Sequence, residues 1–160
     1  MTDLALHFPR LLDNPLKFDD DRGHLEVLYE TDTTVLKRSF SKKGVFRGMH
    51  VQKAPHYQTK LIRIISGKII DFVVDIEGDD QQVHYTEITP EMEWVKIDRQ
   101  YGHGFYALED TVFEYICDGA YNESAELAFS IVDFLKQKMQ LGELILSNKD
   151  LAAKPLAQVL

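Results

Sequence analysis

A short stretch near the middle of the chain carries an arginine, a histidine and a lysine, Arg47, His50 and Lys60. A guanidinium binds phosphate or carboxylate oxygens, an imidazole titrates near neutral pH, and a fixed ammonium stabilises developing negative charge. These residue types fit an enzyme that removes a proton from an anionic substrate. They equally fit two surface charges and one hydrogen-bonded core histidine, and the residue types alone leave both interpretations open.

The flanks of this stretch are apolar and β-branched, which places the three polar residues on or between strands. Polar groups on such strands point into a sheet or barrel, where they are costly unless they form a site. Strands are predicted at Leu25–Tyr29, Val35–Ser41, Val45–Val51, Lys60–Ile65, Lys68–Ile76, Val83–Ile88, Trp94–Ile97, from Tyr101 onward and at Thr111–Cys117.

Strands that recur this often, separated by Gly, Pro and Asp, predict an all-β sandwich or barrel. Lys60–Ile65 and Lys68–Ile76 are aliphatic enough to be predicted as strands buried on both faces, joined in a hairpin at Ser66-Gly67. Asp19–Gly23 is predicted to be a turn. Apolar residues at helical spacing predict a helix over Ala125–Met139, and no linker divides the single predicted domain, 1–160.

The composition excludes several classes of protein. The 160 residues carry a net charge of −8 without a basic tract, so nucleic-acid binding is not expected. No apolar run approaches the ~18 residues of a membrane helix. The single cysteine, Cys117, cannot form an intrachain disulfide, and the start Met1–Leu4 lacks the features of a signal peptide, so a cytoplasmic location is expected.

Five motifs in order resemble one known family. They are Gly44–Gln52 with Pro55–Arg63, Asp71–Asp75, His103–Phe105, Tyr115 with Tyr121, and Leu146–Asp150. Together they resemble the dTDP-4-dehydrorhamnose 3,5-epimerase family. The resemblance implies a cupin jelly-roll fold and a nucleotide-sugar epimerase that uses no metal or redox cofactor. It also implies a dTDP-linked substrate and a homodimer in which N-terminal strands join the neighbour's sheet.

The resemblance also implies catalytic roles. An epimerase removes a C–H proton beside a ketone, stabilises the enolate and returns a proton to the opposite face. His50 matches the family's base, and Asp150 matches the aspartate that orients it. Lys60 matches the cation that faces the C4 oxygen, and Tyr115 matches the proton donor on the other face.

Substrate contacts are implied in the same way at Arg47, Gln52, His103, Tyr121 and Arg22. Arg47 suits a diphosphate, and Arg22 lies in a segment that holds the nucleotide in the family, often from the neighbouring subunit. The chain departs from the family pattern at Lys37, where an asparagine is expected. The family's tryptophan- and proline-containing loop is also missing.

Several alternatives stay open at this stage. A 3- or 5-epimerase acting at one centre, or a ketoisomerase, would use the same enolisation. A metal-dependent cupin oxygenase would need His-x-His and a glutamate, whereas His50-Val51-Gln52 lacks the second histidine. A sugar-binding cupin without activity is a further alternative, because fold alone does not fix function.

Overall fold

The computed structural model describes residues 16–160. Its strands are β1 Leu16–Asp20, β2 Gly23–Glu30, β3 Thr34–Ser41, β4 Phe46–Gln52, β5 Thr59–Ser66, β6 Ile69–Asp75, β7 Val83–Ile88, β8 Val95–Ile97, β9 Tyr101–Ala107, β10 Thr111–Asp118 and β11 Glu126–Ala128. The α-helices are α1 Val132–Lys138 and α2 Asn148–Ala152, and single 3-10 turns lie at Pro90–Met92, Glu123–Ala125 and Leu156–Gln158.

The strands form two antiparallel sheets. One has six strands in the order β1-β2-β3-β10-β5-β8, and the other has five in the order β11-β4-β9-β6-β7. Strands that are neighbours in sequence often lie in different sheets, as in a jelly roll. The predicted hairpin of Lys60–Ile65 with Lys68–Ile76 is therefore wrong, because β5 pairs with β10 and β8 whereas β6 pairs with β9 and β7. The prediction of an all-β jelly roll with a short C-terminal helical part is confirmed.

The central strands β4, β9 and β6 of the five-stranded sheet are largely buried on both faces. Side chains alternate along a strand, so Phe72 of β6 and Tyr106 of β9 face the C-terminal segment. Their neighbours Asp71 and Phe105 face the other sheet, between the two layers. The near-continuous aliphatic sequence of β6 thus reflects two buried faces, as the sequence predicted.

The space between the two sheets has an apolar part and a polar part. The apolar part is a cluster of buried side chains from both sheets, namely Ile62, Ile64, Ile69, Ile88, Phe105 and Phe113. Phe105 and Phe113 meet edge to face with ring centroids 4.8 Å apart. This cluster closes one part of the interior, and the polar residues described below occupy the rest.

The predicted helix over Ala125–Met139 is wrong in its first half. Ala125 ends a 3-10 turn, β11 pairs with the free edge of β4, and the helix begins only at Val132. Leu127 is the buried residue of β11, and Ile131 and Leu135 are buried at and after the start of α1. Apolar residues at this spacing therefore fit an edge strand followed by a helix as well as one long helix.

The predicted turn at Asp19–Gly23 is too long. Leu16–Asp20 forms a strand that pairs with β2, and only Asp21 and Arg22 make the turn. Leu16 and Phe18 are the apolar residues of this strand. The aspartates that follow them made the segment look like a turn in the sequence.

In the part of the chain that the structure describes, no helix is long and apolar enough to cross a membrane. The predictions for Met1–Leu4 lie outside the described residues.

Candidate active site

A cavity of about 260 Å³ opens between the two sheets and collects most of the polar side chains named from the sequence. Strands of both sheets contribute to its wall, and the apolar cluster around Phe105 and Phe113 closes one part of it. Six of the nine predicted site residues line it, namely Arg22, Arg47, His50, Lys60, His103 and Tyr115.

His50 and Asp150 are in direct contact. His50 Nε2 lies 2.9 Å from Asp150 Oδ1, and the carboxylate is buried whereas the imidazole is partly exposed to the cavity. Because an ionised carboxylate only accepts hydrogen bonds, Nε2 is the nitrogen that donates. Nδ1 of a neutral His50 then carries the free lone pair, which is the state a general base requires.

Local structure fixes Asp150 at this position. It lies in the first turn of α2, where its backbone N–H donates to the Oγ of the N-cap residue Ser147. Its second oxygen, Oδ2, accepts from the backbone N–H of Gly48 at 3.3 Å. Gly48 has a φ of +122°, and a Cβ there would come within 2.6 Å of the Gly104 Cα, so glycine allows β4 and β9 to approach closely beside the site.

The Asp150 carboxyl is ionised despite its burial. Burial by itself raises the pKa of Asp150, but the hydrogen bonds and charge from His50 and the Gly48 N–H outweigh it and hold the pKa below its usual range. A permanent carboxylate beside the imidazole stabilises His50 when it gains a proton.

A second carboxylate–imidazole pair faces the same cavity. His103 Nε2 lies 2.7 Å from Asp71 Oδ1, and both residues are buried. Asp71 was not predicted as a site residue. The sequence did contain a signal for it, because a single aspartate in an aliphatic strand that is buried on both faces needs a polar partner. It orients the ring of His103 and satisfies one of its nitrogens.

Arg47 and Arg22 supply two cations to the cavity wall. Arg47 Nε donates to Ser41 Oγ at 3.0 Å, which aims the guanidinium from β4 across the interior. Arg22 is held in a bidentate ion pair with Asp20 at the β1–β2 turn. Arg22 lines the cavity of its own chain, whereas the resemblance implied that this segment often serves the neighbouring subunit. Burial lowers the pKa of Arg47, and the nearby charge of Arg22 adds to this.

Lys60 extends into the cavity from β5. Burial of its ammonium lowers its pKa, and the charge of Lys37 acts in the same direction. In residues 16–160, no carboxylate lies within ion-pair distance of Lys60. An unpaired, desolvated cation of this kind interacts strongly with negative charge that develops nearby.

Tyr115 lies on β10 and stacks on Phe113, with ring centroids 5.5 Å apart. Burial raises the pKa of its phenol well above the usual range, and the nearby Arg47 opposes this only in part. The hydroxyl is therefore protonated at neutral pH and is available as a donor within the cavity.

Gln52 and Tyr121 are not among the residues that line the cavity. Gln52 is buried, and its Oε1 accepts from the backbone N–H of Asn122, so it anchors the segment after β10. Tyr121 is 59% exposed. Its hydroxyl lies 3.4 Å from Glu126 Oε2, which also accepts from Lys149.

Within residues 16–160, no three His, Cys, Asp or Glu side chains are grouped closely enough to hold a metal ion. The two histidines of the cavity each direct Nε2 at an aspartate. The arrangement suits proton transfer and the binding of an anion.

The family model for dTDP-4-dehydrorhamnose 3,5-epimerase matches residues 11–158 of the chain. The chain belongs to the dTDP-4-dehydrorhamnose 3,5-epimerase family. The prediction of this family of isomerases from the five sequence motifs is confirmed.

Individual relatives agree with this membership in the dTDP-4-dehydrorhamnose 3,5-epimerase family. The enzyme of that name from Mycolicibacterium smegmatis is 31% identical over 144 residues, which cover 86% of this chain and 72% of the relative. The crystal structure from Sulfolobus tokodaii has a TM-score of 0.70 at 28% identity, covering 90% of this chain and 88% of that one. The Legionella pneumophila epimerase, in complex with dTDP-4-keto-L-rhamnose, has a TM-score of 0.68 at 31% identity and coverages of 89% and 85%.

Replacing Asp150 by Asn tests the buried pair in this dTDP-4-dehydrorhamnose 3,5-epimerase family member. A carboxyl whose pKa is lowered on folding adds stability above its unfolded pKa of about 4, and this stability is lost as the pH falls through the lower folded value. We expect Asp150→Asn to lower the free energy of unfolding by about 1.5–3 kcal/mol at neutral pH, with the difference from wild type shrinking in acid. Urea unfolding from pH 7 to pH 3 measures this.

The matched control is Asp133→Asn, which removes an exposed carboxylate from α1. It should stay close to wild type across the same range. The account of the pair is wrong if Asp150→Asn loses stability with falling pH as steeply as the wild type does.

Proposed function

We propose that the protein epimerises a dTDP-linked 4-keto-6-deoxyhexose, inverting C3, C5 or both through an enolate and without a cofactor, in deoxysugar biosynthesis. The observation that carries the proposal is the placement of a carboxylate-paired base, His50, and a buried phenol, Tyr115, on the wall of one cavity with Lys60. The dTDP-sugar bound by the Legionella relative supports the choice of substrate class.

The first step is removal of the proton beside the ketone. His50 Nδ1 takes it, while Nε2 keeps its hydrogen bond to Asp150 Oδ1. The imidazolium that results lies against a carboxylate held ionised by its hydrogen bonds, which lowers the energy of the charged state. A base with a pKa near the working pH suits this transfer.

The electrons left at carbon move to the C4 oxygen, where negative charge collects. Lys60 provides a desolvated ammonium within the cavity for this charge. A fixed cation in a region of low dielectric constant stabilises such an oxyanion without needing to reorganise.

Inversion requires a proton from the opposite face of the sugar. Tyr115 is the proposed donor, because its phenol is protonated at neutral pH and lines the cavity. The charge of Arg47 stabilises the phenolate that remains after the transfer. Return of the proton from His50 instead would give exchange without inversion.

The remaining polar residues are proposed to bind the substrate. Arg47 and Arg22 suit the diphosphate, since both guanidinium groups reach the cavity wall of this acidic protein. His103, held by Asp71, contacts the sugar. Exposed Tyr121 contacts the nucleotide, and Gln52 supports this contact by holding the backbone of the next residue, Asn122.

The alternatives differ in how well they suit the cavity. A single-centre epimerase or a ketoisomerase would use the same base and the same cation, so product analysis must separate them. A binding protein without activity has no need of a phenol and a paired imidazole on one cavity wall.

The proposal includes a cytoplasmic location, because the one cysteine, Cys117, is free and buried. Cell fractionation tests this location.

We also propose a homodimer. Phe18 of β1 pairs with Leu25 of β2, which lines the cavity, so Phe18 lies on the inward side of its sheet. Phe18 and Leu16 are nevertheless 55% and 59% exposed, because within residues 16–160 β1 is the edge strand of the six-stranded sheet. An exposed apolar edge strand readily joins another chain, and a second copy would cover it.

Light scattering tests the dimer. The wild-type protein should have twice the 18.5 kDa mass of one chain at micromolar concentration. Leu16→Lys with Phe18→Lys should shift it towards the monomer, because burying two lysines is costly. Leu160→Lys, at another exposed apolar residue, is the control. A wild-type monomer of full activity would exclude the dimer.

Product analysis in heavy water tests the proposed reaction. We expect wild-type protein to convert a 4-keto-6-deoxy sugar nucleotide to an epimer that carries deuterium at each inverted carbon, observed by proton NMR. Tyr115→Phe should keep deuterium exchange beside the ketone but lower inversion by about 10²-fold or more, because the base remains and the opposing acid is lost.

Tyr29→Phe removes the hydroxyl of an exposed tyrosine and is the matched control. It should invert and exchange like the wild type. The proposal fails if no member of a panel of 4-keto-6-deoxy sugar nucleotides acquires deuterium during incubation with wild-type protein.

A further inference from the structure

The segment that carries Tyr121 is tied to the β4–β5 connection on both sides of that residue. On one side, Gln58 Nε2 donates to the carbonyl oxygen of Gly119 at 2.8 Å. On the other side, Gln52 Oε1 accepts from the backbone N–H of Asn122 at 3.0 Å. Tyr121 thus lies between two anchored positions, while its own ring is exposed.

His56 makes a third connection between the same two segments. Its Nε2 lies 3.2 Å from Asn122 Nδ2, and both side chains are partly buried. His56 is not among the residues that line the cavity, and the proposed reaction gives it no role so far. Any part that it takes in function must therefore pass through the residue that it holds.

The orientation of the Asn122 amide follows from its other partners. Asn122 is the N-cap of the 3-10 turn at Glu123–Ala125, and its Oδ1 accepts from the backbone N–H of Ser124 at 3.0 Å and from Ser124 Oγ at 2.6 Å. A backbone N–H can only donate, so the amide oxygen faces Ser124 and the NH2 group faces His56. Asn122 Nδ2 therefore donates, and His56 Nε2 accepts.

This hydrogen bond requires a neutral His56 with its proton on Nδ1. A protonated imidazole donates from both nitrogens and would bring one N–H against another. Asn122 cannot restore the contact by rotating its amide, because the NH2 group would then face the N–H of Ser124. The bond is therefore lost when the imidazole takes up a proton, which histidines do between about pH 5 and pH 8.

The surroundings of His56 offer a protonated imidazole no replacement partner. Within residues 16–160, His56 forms no ion pair. The hydroxyl of its neighbour Tyr57 donates to Glu77, and Glu126 accepts from Lys149. The ionisable residues on the segments that meet here are Lys53 and Tyr57 before β5, Asp118, Tyr121 and Glu123 after Cys117, Glu126 on β11, Glu77 after β6 and Arg99 before β9.

We propose that His56 is a positioning residue for the nucleotide, acting through Asn122 on Tyr121, and that it releases this hold when it is protonated. The inference rests on the proposed function, in which Tyr121 contacts the nucleotide. Without the His56 bond, the segment keeps only its backbone ties to Gln52 and Gln58 on either side of Tyr121. A looser segment must be ordered when the nucleotide binds, and this ordering weakens binding.

Binding of dTDP, the nucleotide portion of the proposed substrate, tests the inference. Its dissociation constant is measured by isothermal titration calorimetry from pH 8 to pH 5.5 for the wild type and for His56→Gln. The amide oxygen of glutamine can accept from Asn122 at every pH in this range. We expect equal constants at pH 8 and about three- to tenfold weaker binding by the wild type at pH 5.5. Other groups that titrate in this range are present in both proteins, so the difference between them reports His56.

Two further variants separate the hydrogen bond from the side chain itself. His56→Leu removes the acceptor and should bind dTDP about three- to tenfold more weakly than His56→Gln at both pH values. His84→Gln replaces an exposed histidine of β7 and should keep the wild-type pH dependence. The inference is wrong if His56→Gln has the same pH dependence as the wild type, or if His56→Leu binds as tightly as the wild type at pH 8.

Turnover separates positioning from a general loss of structure in acid. As the pH falls, the KM of the wild type should rise relative to that of His56→Gln, while the ratio of the two kcat values stays constant, because bound substrate has already ordered the segment. A fall in the wild-type kcat relative to the variant, with no change in relative KM, would overturn the positioning role.

NMR of the ligand-free protein distinguishes failure of this inference from failure of the proposed function. The side-chain amide signal of Asn122, assigned by its loss in Asn122→Asp, should shift as the pH falls in the wild type and stay in place in His56→Gln. An unshifted signal in the wild type contradicts the inference even if the protein is an active epimerase. If the wild type binds no dTDP at any pH, the proposed substrate class is wrong, and the role of His56 in nucleotide binding is wrong with it.

Discussion

The contact between His50 and Asp150 joins residues 100 positions apart and determines where the C-terminal part of the chain must lie. A buried carboxylate is stable only with hydrogen-bond partners, and those of Asp150 come from β4: the His50 ring and the Gly48 N–H. α2, which carries Asp150, must therefore pack against β4. The backbone bonds that flank this position, from Phe46 to Ile145 and from Ile145 to Gly44, hold the approach segment in place.

The C-terminal part of the chain also covers the outer face of the five-stranded sheet. α1 and the segment around Leu156 pack on Phe46, Met49 and Phe72, which excludes water from the strands that carry the polar residues. On the inner face, these strands present Arg47, His50 and His103 to the cavity, and Asp71 holds His103 from the neighbouring strand. The buried outer layer contributes stability, while the polar inner layer serves the site.

The sequence predicted most of the strands and six of the residues that line the cavity, because period-two patterns and short motifs are local properties. It did not predict that Asp71 pairs with His103. The sequence shows the motifs that contain the two residues, but the residues meet only because β6 pairs with β9. It also mistook β11 for the start of a helix. Leu127 fits both the helical and the strand pattern, and β11 forms a strand because it pairs with the edge of β4.

Deuterium exchange with His50→Ala tests the central claim most directly. The rate at which the carbon beside the ketone of a 4-keto-6-deoxy sugar nucleotide takes up solvent deuterium reports the base itself, independently of later inversion. If His50 is the base, this rate should fall by about 10²–10⁴-fold relative to wild type, with the fold preserved. Exchange at the wild-type rate in His50→Ala would contradict the account.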